Sequence, residues 1–303
     1  MMSQIVEEIR ALKEQKDAVI LAHYYVNDEV QELADYIGDS YYLAKLATEV
    51  TQKTIVFCGV SFMGESAKIL NPEKTVLMPD AAADCPMAHM ADIDKIKKVK
   101  EEYEDVAVVC YVNSTAEIKA YSDVCVTSSN ALRIVKALPN RRIYFIPDEN
   151  LGRYIASKVP EKEFIFNDGF CHVHTSISLE NVKKAKEAKP EAKVLVHPEC
   201  KLEILNEADY IGSTSGIIDY ATASDAKEFI ICTEMGVLYE LKQKNPDKKF
   251  YSVGHRQYCP NMKKISPEKV LHVLKTGENE VVLEETMRVK SNEPLVRMLQ
   301  LAR

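Results

Sequence analysis

Three stretches decide the fold: Val19-Ile-Leu-Ala-His23-Tyr-Tyr25, Val108-Val-Cys-Tyr111-Val-Asn113 and Val194-Leu-Val-His197-Pro-Glu199. Each is an apolar run that stops in polar, chemically capable side chains, the pattern of a buried parallel strand. Twelve positions beyond His23, Tyr111 and His197 stand Asp35, Asp123 and Asp209, and five further on come Ser40, Ser128 and Thr214. The contexts Ala34-Asp-Tyr-Ile-Gly-Asp-Ser40 and Ala208-Asp-Tyr-Ile-Gly-Ser-Thr214 are nearly the same sequence.

The repetition continues outward. Apolar strands at Thr54–Cys58, Arg142–Ile146 and Phe229–Cys232 lead to the pairs Met63-Gly64, Leu151-Gly152 and Met235-Gly236. Helical stretches then break at Asn71-Pro72, Pro160 and Asn245-Pro246, and another strand follows each break. Next come Cys85, Cys171 and Cys259, spaced by 86 and 88 residues. Seven positions past each stands a helix-opening residue, Asp92, Ser178 or Ser266, the last followed by proline at the first helical position. So regular a pattern marks an internal repeat. It predicts three α/β units at 1–84, 85–171 and 172–303, the last also carrying the C-terminal helices. Each unit reads as a three-layer αβα domain with a parallel sheet, and the three are expected about a pseudo-threefold axis. Beyond Cys259 the reading is a helix from Ser266, a strand at Val281–Leu283 and an amphipathic helix from about Asn292.

Composition narrows the function. The 303 residues are 46% hydrophobic and 28% charged, with a net charge of −7 and the two signs interleaved. That balance argues against nucleic acid and anionic membrane as partners. The longest apolar run, Val106–Val112, is far short of the roughly 18 residues of a membrane span. The N-terminus reads as the start of an amphipathic helix and not as a secretory leader. Eight cysteines in such a chain imply a reducing compartment, the cytoplasm, with thiols serving as core, ligands or nucleophiles.

Three equivalent units closing on one axis would bring Cys85, Cys171 and Cys259 together, outside the carboxyl ends of the strands. Converging thiolates suit a soft metal centre. An iron–sulfur cluster held by three cysteines keeps one iron open as a Lewis acid. Zinc competes, because Cys171-His-Val-His174 offers nitrogen ligands, although the chain has no Cys-x-x-Cys pair. Cys58, Cys110, Cys125 and Cys232 lie within strand patterns and read as core, and Cys200 has no repeat equivalent.

The strand ends add His23, Tyr25, Tyr111, Asn113, His197 and Glu199, a set of acid–base and hydrogen-bonding groups. Imidazole is the member suited to proton transfer near neutral pH. Ser40, Ser128 and Ser213-Thr214 fall where helices should begin, so they read as N-caps, anion ligands or both. Three anion sites around one cavity suggest a substrate with several negative groups. His172, His174 and His255 lie near the cysteines as supporting residues. Arg256 and Lys227 could face the cavity, while His89, His272 and Lys95–Lys100 read as solvated surface.

The combination of Ala22-His-Tyr-Tyr25, Gly38-Asp-Ser40, Tyr111-Val-Asn113, Thr127-Ser-Ser-Asn130, Cys171-His-Val-His174, His197-Pro-Glu-Cys200, Gly212-Ser-Thr-Ser-Gly216 and Gly254-His-Arg-Gln-Tyr-Cys259 resembles the quinolinate synthase family over essentially the whole chain. The resemblance implies a transferase of NAD biosynthesis that condenses iminoaspartate with dihydroxyacetone phosphate to quinolinate, phosphate and water. It implies a [4Fe–4S] cluster on Cys85, Cys171 and Cys259. Substrate would be held by His23, Ser40, Tyr111, Val112, Asn113, Ser128, His197, Pro198, Glu199, Ser213 and Thr214, with Tyr25, His197 and Glu199 as proton shuttles. A functional link to an aspartate-oxidising enzyme would supply iminoaspartate. Some relatives carry further cysteines after the third ligand; here the stretch is Cys259-Pro-Asn-Met262, which leaves a thiol–disulfide switch no basis. Alternatives are other three-cysteine cluster enzymes, of the diphthamide-synthesis or isoprenoid diphosphate reductase type, and a non-catalytic cluster-based sensor.

Overall fold

The computed structural model describes residues 2–254 and 257–302. It contains three four-stranded sheets, all parallel, each built by one repeat. The first holds β1 (Ala18–His23), β2 (Tyr36–Gly38), β3 (Thr54–Cys58) and β4 (Thr75–Leu77). The second holds β5 (Val106–Tyr111), β6 (Val124–Val126), β7 (Arg142–Ile146) and β8 (Glu163–Phe166). The third holds β9 (Lys193–Val196), β10 (Tyr210–Ile211), β11 (Glu228–Cys232) and β12 (Lys249–Ser252). Strand order is the same in all three, with the first strand of each unit inside and the second at the edge: β2-β1-β3-β4, β6-β5-β7-β8 and β10-β9-β11-β12. Helices flank each sheet, giving the expected αβα layering. Every residue of β1 is buried, and Ile20, Leu21, Val108, Val109, Val194 and Leu195 are fully so. Covering both faces of a parallel sheet is what its near-continuous apolar runs require.

The repeated aspartates are structural. Asp35, Asp123 and Asp209 accept the backbone N–H of Ile20, Val108 and Val194 at 2.8, 2.7 and 2.8 Å. Their own N–H groups return to the carbonyls of the same three residues. Each carboxylate also pairs with a lysine, Lys13, Lys100 or Lys193. The device fixes the start of the edge strand against the central one. A second device uses the lysine after each proline break: Lys74, Lys162 and Lys248 donate to carbonyls at the end of the helix before the third strand, at Val50, Leu138 and Ala221 among others. A cation there meets the negative end of the helix dipole.

Three expectations are corrected. Val281–Leu283 forms no strand; Glu280 makes one antiparallel bridge to Leu77, and the Val281 N–H reaches the Val76 carbonyl. The last helix starts at Glu285 and runs to Leu301, because Glu284 caps it with bonds from the Thr286 and Met287 N–H groups. Ser40 and Ser128 are not N-caps. Asp39 caps the helix Ser40–Glu49 and Asn130 precedes Ala131–Ala137, while Ser213 does cap Thr214–Ala223. The C-terminal helices follow the third sheet in the chain but pack on the other two units. Pro267–Thr276 lies on Met2–Gln15, and Glu285–Leu301 lies on Ala116–Ala120, β6 and Ser61–Leu70. No helix among the described residues is long and apolar enough to cross a membrane.

Candidate active site

The carboxyl ends of the central strands open onto a cavity of about 770 Å³, the solvent at its open mouth included. It is lined from all three units: His23, Tyr25 and Ser40 from the first, Tyr111, Asn113 and Ser128 from the second, His197, Glu199 and Thr214 from the third. Cys85, Cys171 and Cys259 line the same space. Freed from capping, the Ser40 and Thr214 hydroxyls stand at the first helical positions, on the cavity wall. Of the remaining expected residues, Val112 is buried beneath the wall beside Ser40, Pro198 is buried within the His197–Glu199 turn, and Ser213 is occupied by the Gly216 N–H. Lys227 is corrected: it is exposed before β11, at the opposite edge of the sheet. His255 and Arg256 lie outside the described residues. The lining includes no lysine or arginine among the described residues. Anionic groups would therefore be met by hydroxyls, imidazole N–H groups and helix N-termini. The Asn113 Oδ1 is buried with no hydrogen-bond partner among the described residues.

Backbone geometry fixes the imidazoles. His23 Nδ1 accepts the Tyr25 N–H at 3.2 Å, and His197 Nδ1 accepts the Glu199 N–H at 3.3 Å. The proton of each neutral ring is therefore on Nε2, and in His197 it faces the Ser128 hydroxyl at 3.2 Å. Burial lowers both rings to a pKa of about 3. They are neutral hydrogen-bond donors near pH 7.

His174 is held by a different set of contacts. Its Nδ1 lies 2.8 Å from Glu199 Oε2 and 3.1 Å from the Cys171 Sγ, and its ring stacks on His197 at 4.5 Å. A carboxylate can only accept, so Nδ1 carries the proton and Nε2 accepts from the Thr233 hydroxyl at 2.9 Å. Thr233 in turn takes the Tyr25 phenol at 2.9 Å, and Tyr25 also meets Thr214 at 2.6 Å. Glu199 accepts the Tyr111 phenol at 2.5 Å. Burial pushes Glu199 upward, but the hydrogen bonds from His174 and Tyr111 outweigh it and hold the carboxylate ionised. Burial raises the Tyr25 phenol well above its ordinary range, so it stays protonated at neutral pH. A carboxylate–imidazole–hydroxyl series thus ends on a buried phenol. Thr233 is absent from the sequence-based set because its repeat counterparts, Gly59 and Pro147, carry no chemistry. Its one signal is its place just past the carboxyl end of β11.

The three thiols are half-buried, and burial pushes Cys85 up to about 12. Thiolates on one tetrahedral zinc would stand about 3.8 Å apart. Among the described residues the one set of three potential ligands within 4.8 Å of one another is Cys171, His174 and Glu199, so the cysteine triad is too widely spaced for a single ion. Three soft donors spread over one cavity wall suit a larger centre. Cys58, Cys110, Cys125, Cys200 and Cys232 are buried, the first three and Cys232 within strands. His89 and His272 are exposed but paired, with Asp84 and Glu278.

Fold and site together define an α/β enzyme of three like units with a soft-metal donor set in a cavity of neutral hydrogen-bond donors. Comparison with known proteins makes this particular. Residues 7–300 match the family model described as quinolinate synthetase A protein, and the chain belongs to that family. It is 54% identical over 296 residues to a quinolinate synthase of Fusobacterium nucleatum, covering 98% of this chain and 99% of the relative. A quinolinate synthase of Caldicellulosiruptor saccharolyticus is 52% identical over 299 residues, with 99% of both chains covered. One from Clostridioides difficile is 52% identical over 295 residues, 97% of each. Membership makes the chain a transferase of NAD biosynthesis acting on small molecules, implies an iron–sulfur cofactor, and disfavours the diphthamide, diphosphate-reductase and sensor readings.

Proposed function

We propose that the chain condenses iminoaspartate with dihydroxyacetone phosphate, forming one C–C and one C–N bond and releasing quinolinate, inorganic phosphate and two waters. The observation that carries this reading is the convergence of the thiol that follows each of the three sheets on a cavity that also holds the Tyr25–Thr233–His174–Glu199 series. Cys85, Cys171 and Cys259 would hold a [4Fe–4S] cluster, whose open iron supplies Lewis acidity toward a substrate oxygen when bound. His23, His197, Ser40, Ser128 and Thr214 donate hydrogen bonds to substrate carboxylates, and Tyr111 and Asn113 form the facing wall with Val112 beneath it and Pro198 and Ser213 shaping the loops behind. Asn113 Oδ1 accepts from the substrate nitrogen. Tyr25 gives its proton to a leaving oxygen. Glu199 takes up a proton released on imine formation or ring closure and then returns it through His174 and Thr233 to restore the phenol. An aspartate-oxidising activity in the same compartment, the cytoplasm, would supply iminoaspartate.

The test is anaerobic purification with iron and sulfide analysis, followed by quinolinate formation from the two substrates. About four irons per chain with turnover is the expected result. The Cys171–His174–Glu199 set favours a second reading, one zinc ion, and stoichiometric zinc in an iron-free active enzyme would establish it.

A further inference from the structure

Lys263 sits one turn beyond Cys259, its N–H bonded to the Cys259 carbonyl at 3.1 Å. Its ammonium crosses to the first unit and donates to the Tyr25 carbonyl at 2.8 Å. The same ammonium lies 3.4 Å from Glu234 Oε1, and that oxygen accepts the Cys259 N–H at 3.0 Å. Glu234 is 1% exposed, so its charge has this lysine as counter-ion and backbone N–H groups as its other partners. A second tie runs the other way: Asn27 donates to the carbonyls of Lys263 and Ile265 at 3.2 and 2.8 Å. Close approach seals the junction, for a Cβ on Gly236 would stand 2.7 Å from the Tyr24 carbonyl and 2.8 Å from the Tyr25 Cα.

We propose that Lys263 and Glu234 are positioning residues, a latch that couples the loop of the third cysteine to the backbone of Tyr25. The inference rests on the reading of Cys259 as a ligand and Tyr25 as a proton donor. A turn that carries both the thiol and the ammonium cannot shift at one end without shifting at the other. Ligation of Cys259 therefore sets where the Tyr25 phenol stands, and a chain without its metal centre holds Tyr25 loosely. The proton donor is assembled only when the Lewis acid is present.

The experiment places 3-fluorotyrosine at position 25 alone and records fluorine NMR of the anaerobic holoenzyme, of the chelator-stripped chain, and of Lys263→Met. Wild-type holoenzyme should give one sharp line. The stripped chain and iron-loaded Lys263→Met should both give a broadened or split one, and the variant's turnover should fall roughly tenfold to a hundredfold at unchanged KM. A wild-type line in iron-loaded Lys263→Met, or a line in the stripped chain identical to the holoenzyme's, overturns the proposal. If Lys263→Met does not fold, Glu234→Gln removes the counter-ion of the latch lysine, and a wild-type line there overturns the proposal equally. A wild-type holoenzyme that forms no quinolinate would instead sink the functional reading, whatever the fluorine line showed.

Discussion

Thr233→Val tests the proton path with little change of shape. The hydroxyl is fully buried and bridges the Tyr25 phenol and His174 Nε2 at 2.9 Å on each side. Valine fills nearly the same volume, so no cavity opens. Tyr25 keeps its 2.6 Å contact with Thr214, but His174 Nε2 is left with no partner. One unsatisfied buried nitrogen costs about 1–3 kcal/mol of stability, a tolerable loss for a domain of this size. The catalytic effect is larger, because interrupting a general acid–base path typically costs about 10² to 10⁴ in rate. Thr233 does not line the cavity, so substrate contacts persist and the loss falls on kcat and not on KM. The assay is initial-rate quinolinate formation by iron-loaded enzyme, with Thr233→Ser as the rescue. A loaded Thr233→Val enzyme with near wild-type kcat would refute the path, as would a Ser variant no better than Val.

Cys85→Ala, Cys171→Ala and Cys259→Ala should each lose iron and activity while remaining folded, whereas Cys232→Ala, deep in the third core, should lower the urea midpoint and keep both; iron analysis alongside denaturation separates them. His23 and His197, near pKa 3 when folded against about 6.5 unfolded, make the unfolded chain bind the extra protons below pH 6.5. Their contribution is complete above that pH and shrinks as pH falls toward 3, by about 2 kcal/mol for each ring at pH 5. Urea titrations at pH 7 and pH 5 should show it, and His23→Asn should remove about half; an equal difference in the variant would contradict the assignment. Asp209→Ala strips the Val194 N–H and Lys193 of their partner and should cost about 1–2 kcal/mol with kcat unchanged. A fall in its kcat at full iron content would show that the aspartate device reaches the chemistry.

The fold was legible because each repeat carries the same local instructions: an apolar strand, an aspartate twelve positions past its end, a proline break, a cysteine. What escaped was short or non-local. The edge strands β2, β6 and β10 are two or three residues long, too short for periodicity to reveal. The start of the last helix depends on the Glu284 cap, while Pro294 in mid-helix argues for a later beginning. In the site, His23, Tyr25, Tyr111, Asn113, His197 and Glu199, which have repeat partners, line the cavity. The two that complete the proton path were harder. His174 was visible only as a neighbour of a cysteine, and Thr233 had no partner in the other repeats.

That division has a physical reason. Folding devices can be copied, because each sheet needs the same hydrogen bonds wherever it lies. Asp35, Asp123 and Asp209 do one task, and so do Lys74, Lys162 and Lys248. The thiols can also be copied, since a threefold centre asks the same of each unit. A substrate with two unlike ends cannot be met by three identical walls. At equivalent strand ends the chain accordingly sets His23, Tyr111 and His197, and two positions on Tyr25, Asn113 and Glu199. The surroundings differ: the Tyr25 phenol meets Thr214, the Asn113 Oδ1 has no partner among the described residues, and Glu199 lies against His174. Exchanging Asn113 for Tyr in a Tyr25→Phe chain should therefore not restore turnover. The phenol at 113 would lie in the right shape of pocket but would have no Thr233–His174 series behind it. Recovered quinolinate formation in that double variant would mean that position along the repeat, and not connection to Glu199, makes Tyr25 a donor.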